Sequence, residues 1–289
     1  MFQTESEKKA PEVLKQEWKN LGSEVPKIHV VLGSGFGEAL SPNGFPGWKT
    51  LGDIAFTQIP GLHASKVPDH KGCYRLLQHK SGISVSFQMG RLHGYEGYAP
   101  RIAIRPVMVP RLAGVKQFLL TNAAGGLVQD FGPGDAMVIR DQVNLTGQNP
   151  LTGSNPVGAD GKELGPRFVD MTDLYDQKWQ GTLTTKLKEQ GLTVHSGVYL
   201  GLLGPNFETP AEVRLFAKWG LHAVGMSTVW EAIALRHSGA ELAGLSLISN
   251  PGAGLTEEKL DHLKIVETCR ASAGRIVKAV VAAIEAELL

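Results

Sequence analysis

Cysteine is scarce: Cys73 and Cys269 are the only two in 289 residues. So few thiols exclude a disulfide framework and a four-thiolate metal site, and two reduced cysteines in a reducing compartment are expected. Neither sign of charge is in excess, since 29 Lys and Arg oppose 28 Asp and Glu for a formal +1. Binding to a polyanion by bulk charge is thereby disfavoured, and no nucleic-acid partner is expected. Long apolar runs are missing too: nothing approaches the ~18 residues a spanning helix needs. The polar opening MFQTESEKKAPEVLKQEWKNL has no apolar stretch of the secretory kind. No membrane partner is expected, and a cytoplasmic location follows.

The composition that is present is that of a globular protein, with 42% apolar, 20% charged and 7% aromatic residues. Glycine stands out, at 35 residues where a usual ~7% would supply far fewer. These glycines are not periodic, which excludes collagen, and they belong where the backbone turns tightly or nears a ligand. A prior of one domain per ~150 residues allows one or two. No linker, repeat or low-complexity tract interrupts the chain, so one domain over 1–289 is expected.

Strand-like segments rich in Val, Ile and Leu fall at 28–32, 83–88, 117–121, 136–140, 194–203, 222–226 and 242–249. Several are apolar throughout, which suits strands covered on both faces. Helical patterns lie between them. Residues 11–21 open on Pro11, 173–190 end at Gly191, 209–219 start at Thr209-Pro210, and 256–288 carry Glu257 and Glu258 in the first turn. Residues 99–112 also read as helix, kinked or shortened by Pro106 and Pro110. The stretch 147–166, rich in Gly, Pro and Asn, reads as one long loop. This alternation predicts an α/β fold with a central mixed, mostly parallel sheet flanked by helices.

Six short segments have the residue types of a binding site. Gly33-Ser34-Gly35-Phe36-Gly37 follows a strand and can turn N–H groups and the Ser34 hydroxyl onto an anion. A dinucleotide fingerprint would need glycine where Glu38 stands. In Gly90–Tyr98, Arg91 and His93 alternate and so share one side of an extended segment; a guanidinium there forks onto phosphate oxygens. Thr121–Gly126 offers small residues at the carboxyl end of a strand. Gly204–Thr209 joins an aromatic face, Phe207, to a carboxylate, Glu208, whose plain alternative is a charge favoured at a helix start. Val224–Thr228 and Ser249–Gly252 close apolar strands. Met226 alone reads as core filler. Asn250 supplies both a donor and an acceptor, as reading a purine edge requires, although asparagine is equally at home in turns.

Taken in this order, GSGFG, GRLHGYEGY, TNAAGG, GPNFET, GMSTV and SLISN resemble the trimeric purine nucleoside phosphorylases, the class acting on inosine and guanosine; the resemblance runs from Gly33 to His262. It implies a homotrimer with sites near the subunit contacts. It also implies reversible phosphorolysis of 6-oxopurine nucleosides, with inorganic phosphate as co-substrate and no metal or organic cofactor. The implied phosphate site is Ser34, His70, Arg91, His93, the Ala123 N–H and Ser227. The implied purine site is Glu208 and Asn250 with Phe207 and Val224 as walls. The implied ribose site is Tyr95, Tyr199, Met226 and His262, and Phe168 corresponds to the aromatic that reaches in from a neighbouring subunit. Asn250, Glu208 and His93 are the implied catalytic set. The chain departs from the family pattern at Asp69 and Lys71, which flank His70, and at Trp230, where proline is usual.

Three other readings compete. A nicotinamide-dependent dehydrogenase is disfavoured by Glu38. A non-catalytic nucleoside binder would keep Glu208 and Asn250 yet release no base. A sister phosphorylase for xanthosine or methylthioadenosine would share the same chemistry.

Overall fold

A computed structural model describes residues 4–40, 44–63, 67, 70–158, 160–257 and 262–289. Nine strands form one sheet: β1 Ile28–Leu32, β2 Trp48–Ala55, β3 Cys73–His79, β4 Ser84–Met89, β5 Gln117–Gly126, β6 Ala136–Asn144, β7 Val194–Gly201, β8 Ala223–Gly225 and β9 Glu241–Pro251. The helices are α1 Glu5–Lys8, α2 Ala10–Asn20, α3 Pro100–Ala103, α4 Arg105–Leu112, α5 Gln177–Glu189, α6 Pro210–Lys218, α7 Val229–His237 and α8 His262–Leu288.

The sheet order is β2-β3-β4-β1-β5-β8-β7-β6-β9, with a further pairing of β5 to β9 that closes the last five strands on themselves. It is mixed as expected. Parallel pairings (β1–β4, β1–β5, β5–β9, β6–β7, β7–β8) only narrowly outnumber antiparallel ones (β2–β3, β3–β4, β5–β8, β6–β9).

Strand periodicity sends alternate side chains to two layers. Val31, Phe118 and Leu120 join the core beneath α2, α4 and α7, while Val30, Leu32 and Leu119 join the core beneath α5 and α8. Each helix presents a matching face. Ala10, Leu14 and Trp18 line up at spacings of four on α2, as do Cys269, Ala273, Val277, Val281 on α8. Full burial of each such large side chain contributes ~1.5–3 kcal/mol, so these stripes fix which way the helices lie.

Helix ends follow their sequence signals. Thr209 and Glu212 form a capping box around Pro210 at the start of α6, and Asp176 caps α5 through the Trp179 N–H at 2.7 Å. Prolines break the 99–112 segment into α3 and α4, and Pro110 stays inside α4. Pro110 has no N–H to give to the Pro106 carbonyl one turn back. The Tyr74 hydroxyl donates to that carbonyl instead, at 2.7 Å.

Several boundaries differ from expectation. β5 runs on past the expected end at Thr121 to Gly126, so TNAAGG is part of the strand: its small side chains let β8 and β9 approach from both sides. The described part of α8 begins at His262; Thr256 and Glu257 precede it as bends. β2 and β3, absent from the sequence reading, carry Lys49, Asp53, Arg75 and Gln78 among their apolar residues, which blurred the strand pattern. No helix among the described residues is long and apolar enough to cross a membrane.

Candidate active site

The strand ends open onto one cavity of about 720 Å³, within the size range of small-molecule sites. Its wall includes Ser34 after β1, Arg91 and His93 after β4, Tyr95, Ala123 on β5, Phe207 and Glu208 before α6, Val224 on β8, Met226 and Ser227 after it, and Asn250 on β9. Eleven of the residues singled out in the sequence thus meet around a single space.

Arg91 is the most constrained of them. Its side chain is 2% exposed and that of Glu231 is 6% exposed. Nε and Nη2 donate to the two Glu231 carboxylate oxygens at 3.1 and 3.0 Å, and Nη1 donates to the Thr121 carbonyl at 2.6 Å. Two of the five guanidinium N–H groups are left over. Gly33 makes room for this arm, because a Cβ there would sit 3.0 Å from Arg91 Nη1 and from the β5 backbone. Glu231 neutralises the arginine, so an anion at this wall meets directed donors rather than a free positive charge.

The histidines form a ladder. The rings of His70 and His93 stack at 5.3 Å, and those of His93 and Tyr95 at 4.7 Å. His93 Nδ1 lies 3.0 Å from Glu96 Oε1, which also accepts the His93 backbone N–H at 2.9 Å. With Nδ1–H held there, Nε2 is the ring's remaining polar atom. Burial holds the His93 pKa below its ordinary value against the opposing pull of Glu96. His70 stands behind Ser34, with Nε2 3.3 Å from the Ser34 hydroxyl and Nδ1 3.0 Å from the Arg91 carbonyl. Burial, with His93 alongside, lowers its pKa to about 4. Both rings are therefore neutral near pH 7.

Asn250 has two anchors. Its Nδ2 donates to the Pro251 carbonyl at 2.9 Å, and its Oδ1 lies 2.7 Å from the Ser249 hydroxyl, a shorter path for that single proton than the Ala124 carbonyl at 3.1 Å. One N–H and one lone-pair direction remain. Burial raises the Glu208 pKa, and Glu212 adds to the rise.

Other sequence assignments fall elsewhere. Tyr199 is fully buried behind the wall, its hydroxyl so close over Gly225 that a Cβ would meet it at 2.5 Å. Burial pushes that phenol up to about 12, while Ser227 beside it pulls the other way. Phe168 is 90% exposed and borders a separate hollow of about 630 Å³ with Arg167 and Asn144. The His262 side chain and Asp69 lie outside the described residues. Trp230 is buried and donates to the Thr146 hydroxyl at 2.9 Å.

Glu96, Asn122, Thr228 and Ser249 lie within the segments singled out in the sequence but carry no role of their own there, and sequence reasoning passed over Glu231. A signal for Glu231 existed, since it is the single acid in the helix VWEAIALRH, whose other polar residues, Arg236 and His237, stand in the last turn. Among the described residues, no group of three His, Cys, Asp or Glu side chains is arranged to hold a metal ion.

Comparison with known proteins agrees with this geometry. A family profile described as the phosphorylase superfamily matches residues 63–285. The chain is 40% identical over 261 residues to purine nucleoside phosphorylase 1 of Geobacillus stearothermophilus, covering 89% of this chain and 90% of that protein. It is 38% identical over 257 residues to the purine nucleoside phosphorylase of Mus musculus, covering 86% and 84%. A crystal structure of Schistosoma mansoni purine nucleoside phosphorylase in complex with adenosine superimposes with a TM-score of 0.82 at 29% identity, covering 100% of this chain and 99% of that one.

Proposed function

The chain belongs to the phosphorylase superfamily, and from that premise we propose that it is a purine nucleoside phosphorylase that cleaves inosine and guanosine, ribo- or deoxyribo-, in purine salvage. Phosphate and nucleoside are converted reversibly to free base and α-(deoxy)ribose 1-phosphate. The observation that carries this reading is a single cavity bordered both by anion donors (Ser34, Arg91, His93, Ser227) and by the Phe207, Glu208 and Asn250 set.

Glycosidic cleavage passes through an oxocarbenium-like state, with positive charge on the sugar and negative charge on the departing purine. Phosphate lies beneath the ribose, held by Ser34, Ser227, the two spare Arg91 N–H groups and the Ala123 N–H. Its charge stabilises the sugar cation, and one of its oxygens then bonds to C1′ as the bond to N9 breaks. Neutral His93 takes a hydrogen bond from a protonated phosphate oxygen at Nε2, and His70 supports Ser34 from behind. The electron pair of the broken bond goes to the purine. Asn250 stabilises it at N7 and O6, while Glu208 accepts N1–H and any 2-amino group. Phe207 and Val224 bracket the base. Tyr95 and Met226 face the ribose, His262 is assigned to the same sugar by the family resemblance alone, and Tyr199 acts from behind Ser227. The chemistry calls for no metal or organic cofactor.

Phe168 is a large aromatic that a single chain leaves in water. We assign it to the neighbour's cavity in a homotrimer, acting in the cytoplasm. The deciding assay is hypoxanthine release from inosine with and without phosphate. Release that requires phosphate and yields ribose 1-phosphate is expected. Release without phosphate, or tight inosine binding with no release, would overturn the reading, and faster turnover of xanthosine or methylthioadenosine would move the chain to a sister activity.

A further inference from the structure

We infer that Thr228 is a positioning residue: fastened to Asn122, its hydroxyl orders the hydroxyl of Ser227 so that the Ser227 proton points to the bound phosphate. The inference rests on the phosphorolytic reading of the cavity.

Thr228 is the single non-glycine residue with positive φ among the described residues, at φ 72° and ψ −51°. The Val229 N–H donates to the Ser227 carbonyl at 2.8 Å, so Ser227-Thr228-Val229 form a tight three-residue turn of the strained kind. A β-branched residue is a poor choice for that backbone, where glycine would sit without strain. Thr228 also occupies the N-cap of α7, yet its side chain makes no capping bond. The usual reasons for threonine at a helix start are therefore missing. An outlier held at the edge of a binding cavity points to function.

The hydroxyl is used in another direction. Asn122 Nδ2 donates to Thr228 Oγ1 at 2.9 Å, and Thr228 Oγ1 lies 3.1 Å from Ser227 Oγ. Thr228 is 2% exposed and Asn122 1%. The amide nitrogen can only donate, so Thr228 oxygen accepts and its proton is free to go elsewhere. Among the described residues the acceptor within reach is Ser227 Oγ. The chain of donors therefore runs Asn122 to Thr228 to Ser227, each bond polarising the next. Its last proton belongs to Ser227, on the cavity wall. Tyr199 is the other neighbour of that hydroxyl, on its fully buried side, and a phenol pushed up to about 12 keeps a proton that it can donate to Ser227 Oγ. One turn further along α7, Glu231 grips Arg91. The start of α7 is thus pinned at two points, which sets Ser227 and Arg91 at a fixed separation.

The test measures the Kd of inorganic phosphate by calorimetry, together with the KM values of phosphate and inosine. Thr228→Val keeps the shape and removes the hydroxyl. We expect its phosphate Kd and KM to rise about tenfold, the loss of one polarised hydrogen bond, with the inosine KM within about twofold. Thr228→Ser should restore phosphate affinity to within about threefold. Thr228 acts through Ser227, so adding Thr228→Val to Ser227→Ala should weaken phosphate by less than about twofold. Should the valine variant not fold, Thr228→Gly fits the turn and also lacks the hydroxyl. Unchanged phosphate affinity, equal rises in both KM values, or full additivity with Ser227→Ala would overturn the inference. Wild-type protein that binds phosphate but releases no base would sink the enzymatic reading instead, and the calorimetric comparison would still decide the role of Thr228.

Discussion

Replacing Asn250 by Asp should turn the base preference from 6-oxopurines toward adenosine. A 6-oxopurine presents an acceptor at O6, so Asn250 must offer Nδ2–H there and accept at Oδ1 the N7–H that the departing purine forms by taking a proton from solvent. This is the orientation its anchors already impose, with Nδ2 on the Pro251 carbonyl at 2.9 Å and Oδ1 under the Ser249 hydroxyl at 2.7 Å. Adenosine presents a donor at position 6, and matching it requires the amide to turn over. Oδ1 would then face the Pro251 carbonyl, two acceptors with no proton between them. Leaving such a group unpaired costs about 1–3 kcal/mol, or roughly 5- to 150-fold in kcat/KM. An Asp in this place gains a proton, because its O–H can replace Nδ2–H on the Pro251 carbonyl. Its free lone pairs then accept the 6-amino group. The assay is kcat/KM for inosine and adenosine on wild type and Asn250→Asp. Inosine should lead by about one to two orders of magnitude in the wild type, and the ratio should fall to near one or invert in the variant. Wild-type turnover of adenosine equal to that of inosine, or a ratio unmoved by the substitution, would refute the reasoning.

Two more expectations follow from titratable groups drawn out of water, one fully buried and one half-buried. His29 is fully buried between Ser86 and Gln88, and desolvation lowers its pKa from 6.5 to about 4. The unfolded chain then holds more protons between those values, so His29 contributes stability that is present above its unfolded pKa and lost as pH falls through this window; the loss between pH 7.5 and 5 is about 2 kcal/mol. His29→Gln should remove that increment when urea midpoints are compared at the two pH values, and an identical acid loss in both proteins would contradict it. Burial raises the Glu208 pKa, so protonation should weaken nucleoside binding at a higher pH than for an ordinary glutamate. KM for guanosine should therefore climb early on acidification, and Glu208→Gln, which loses charge-assisted bonds of about 1.5–3 kcal/mol each, should cut kcat/KM at neutral pH by at least ~10-fold; a flat acid limb together with an unimpaired amide variant would remove Glu208 from base recognition.

Much of the fold was legible because its signals are local. Apolar runs such as IHVVL and the proline and threonine at the start of α6 need no tertiary context. The strand through TNAAGG was not legible, since small residues signal a turn unless two other strands close on them. For the cavity, the sequence named most of the wall. It could not say that Tyr199 lies behind it, because strand periodicity gives a side and not a depth. Nor could it reveal that Glu231 clamps Arg91, since 140 residues separate them. Chemistry that depends on a partner from elsewhere in the chain, such as the Asn122 amide on Thr228, leaves no trace in spacing.

Strand β9 fits between β5 and β6, pairing with Gln117–Gly126 on one side and Ala136–Val138 on the other. Both flanks are synthesised well before it. As the polypeptide leaves the ribosome, Ser34 and His93 can take their places while the Glu231 clamp on Arg91 and the slot where Asn250 belongs are still unfilled. Ligand affinity should therefore be acquired abruptly and late in translation, when residues 241–251 slide home. A nascent chain stalled ahead of that segment would be mute toward nucleosides, however well its earlier half had folded.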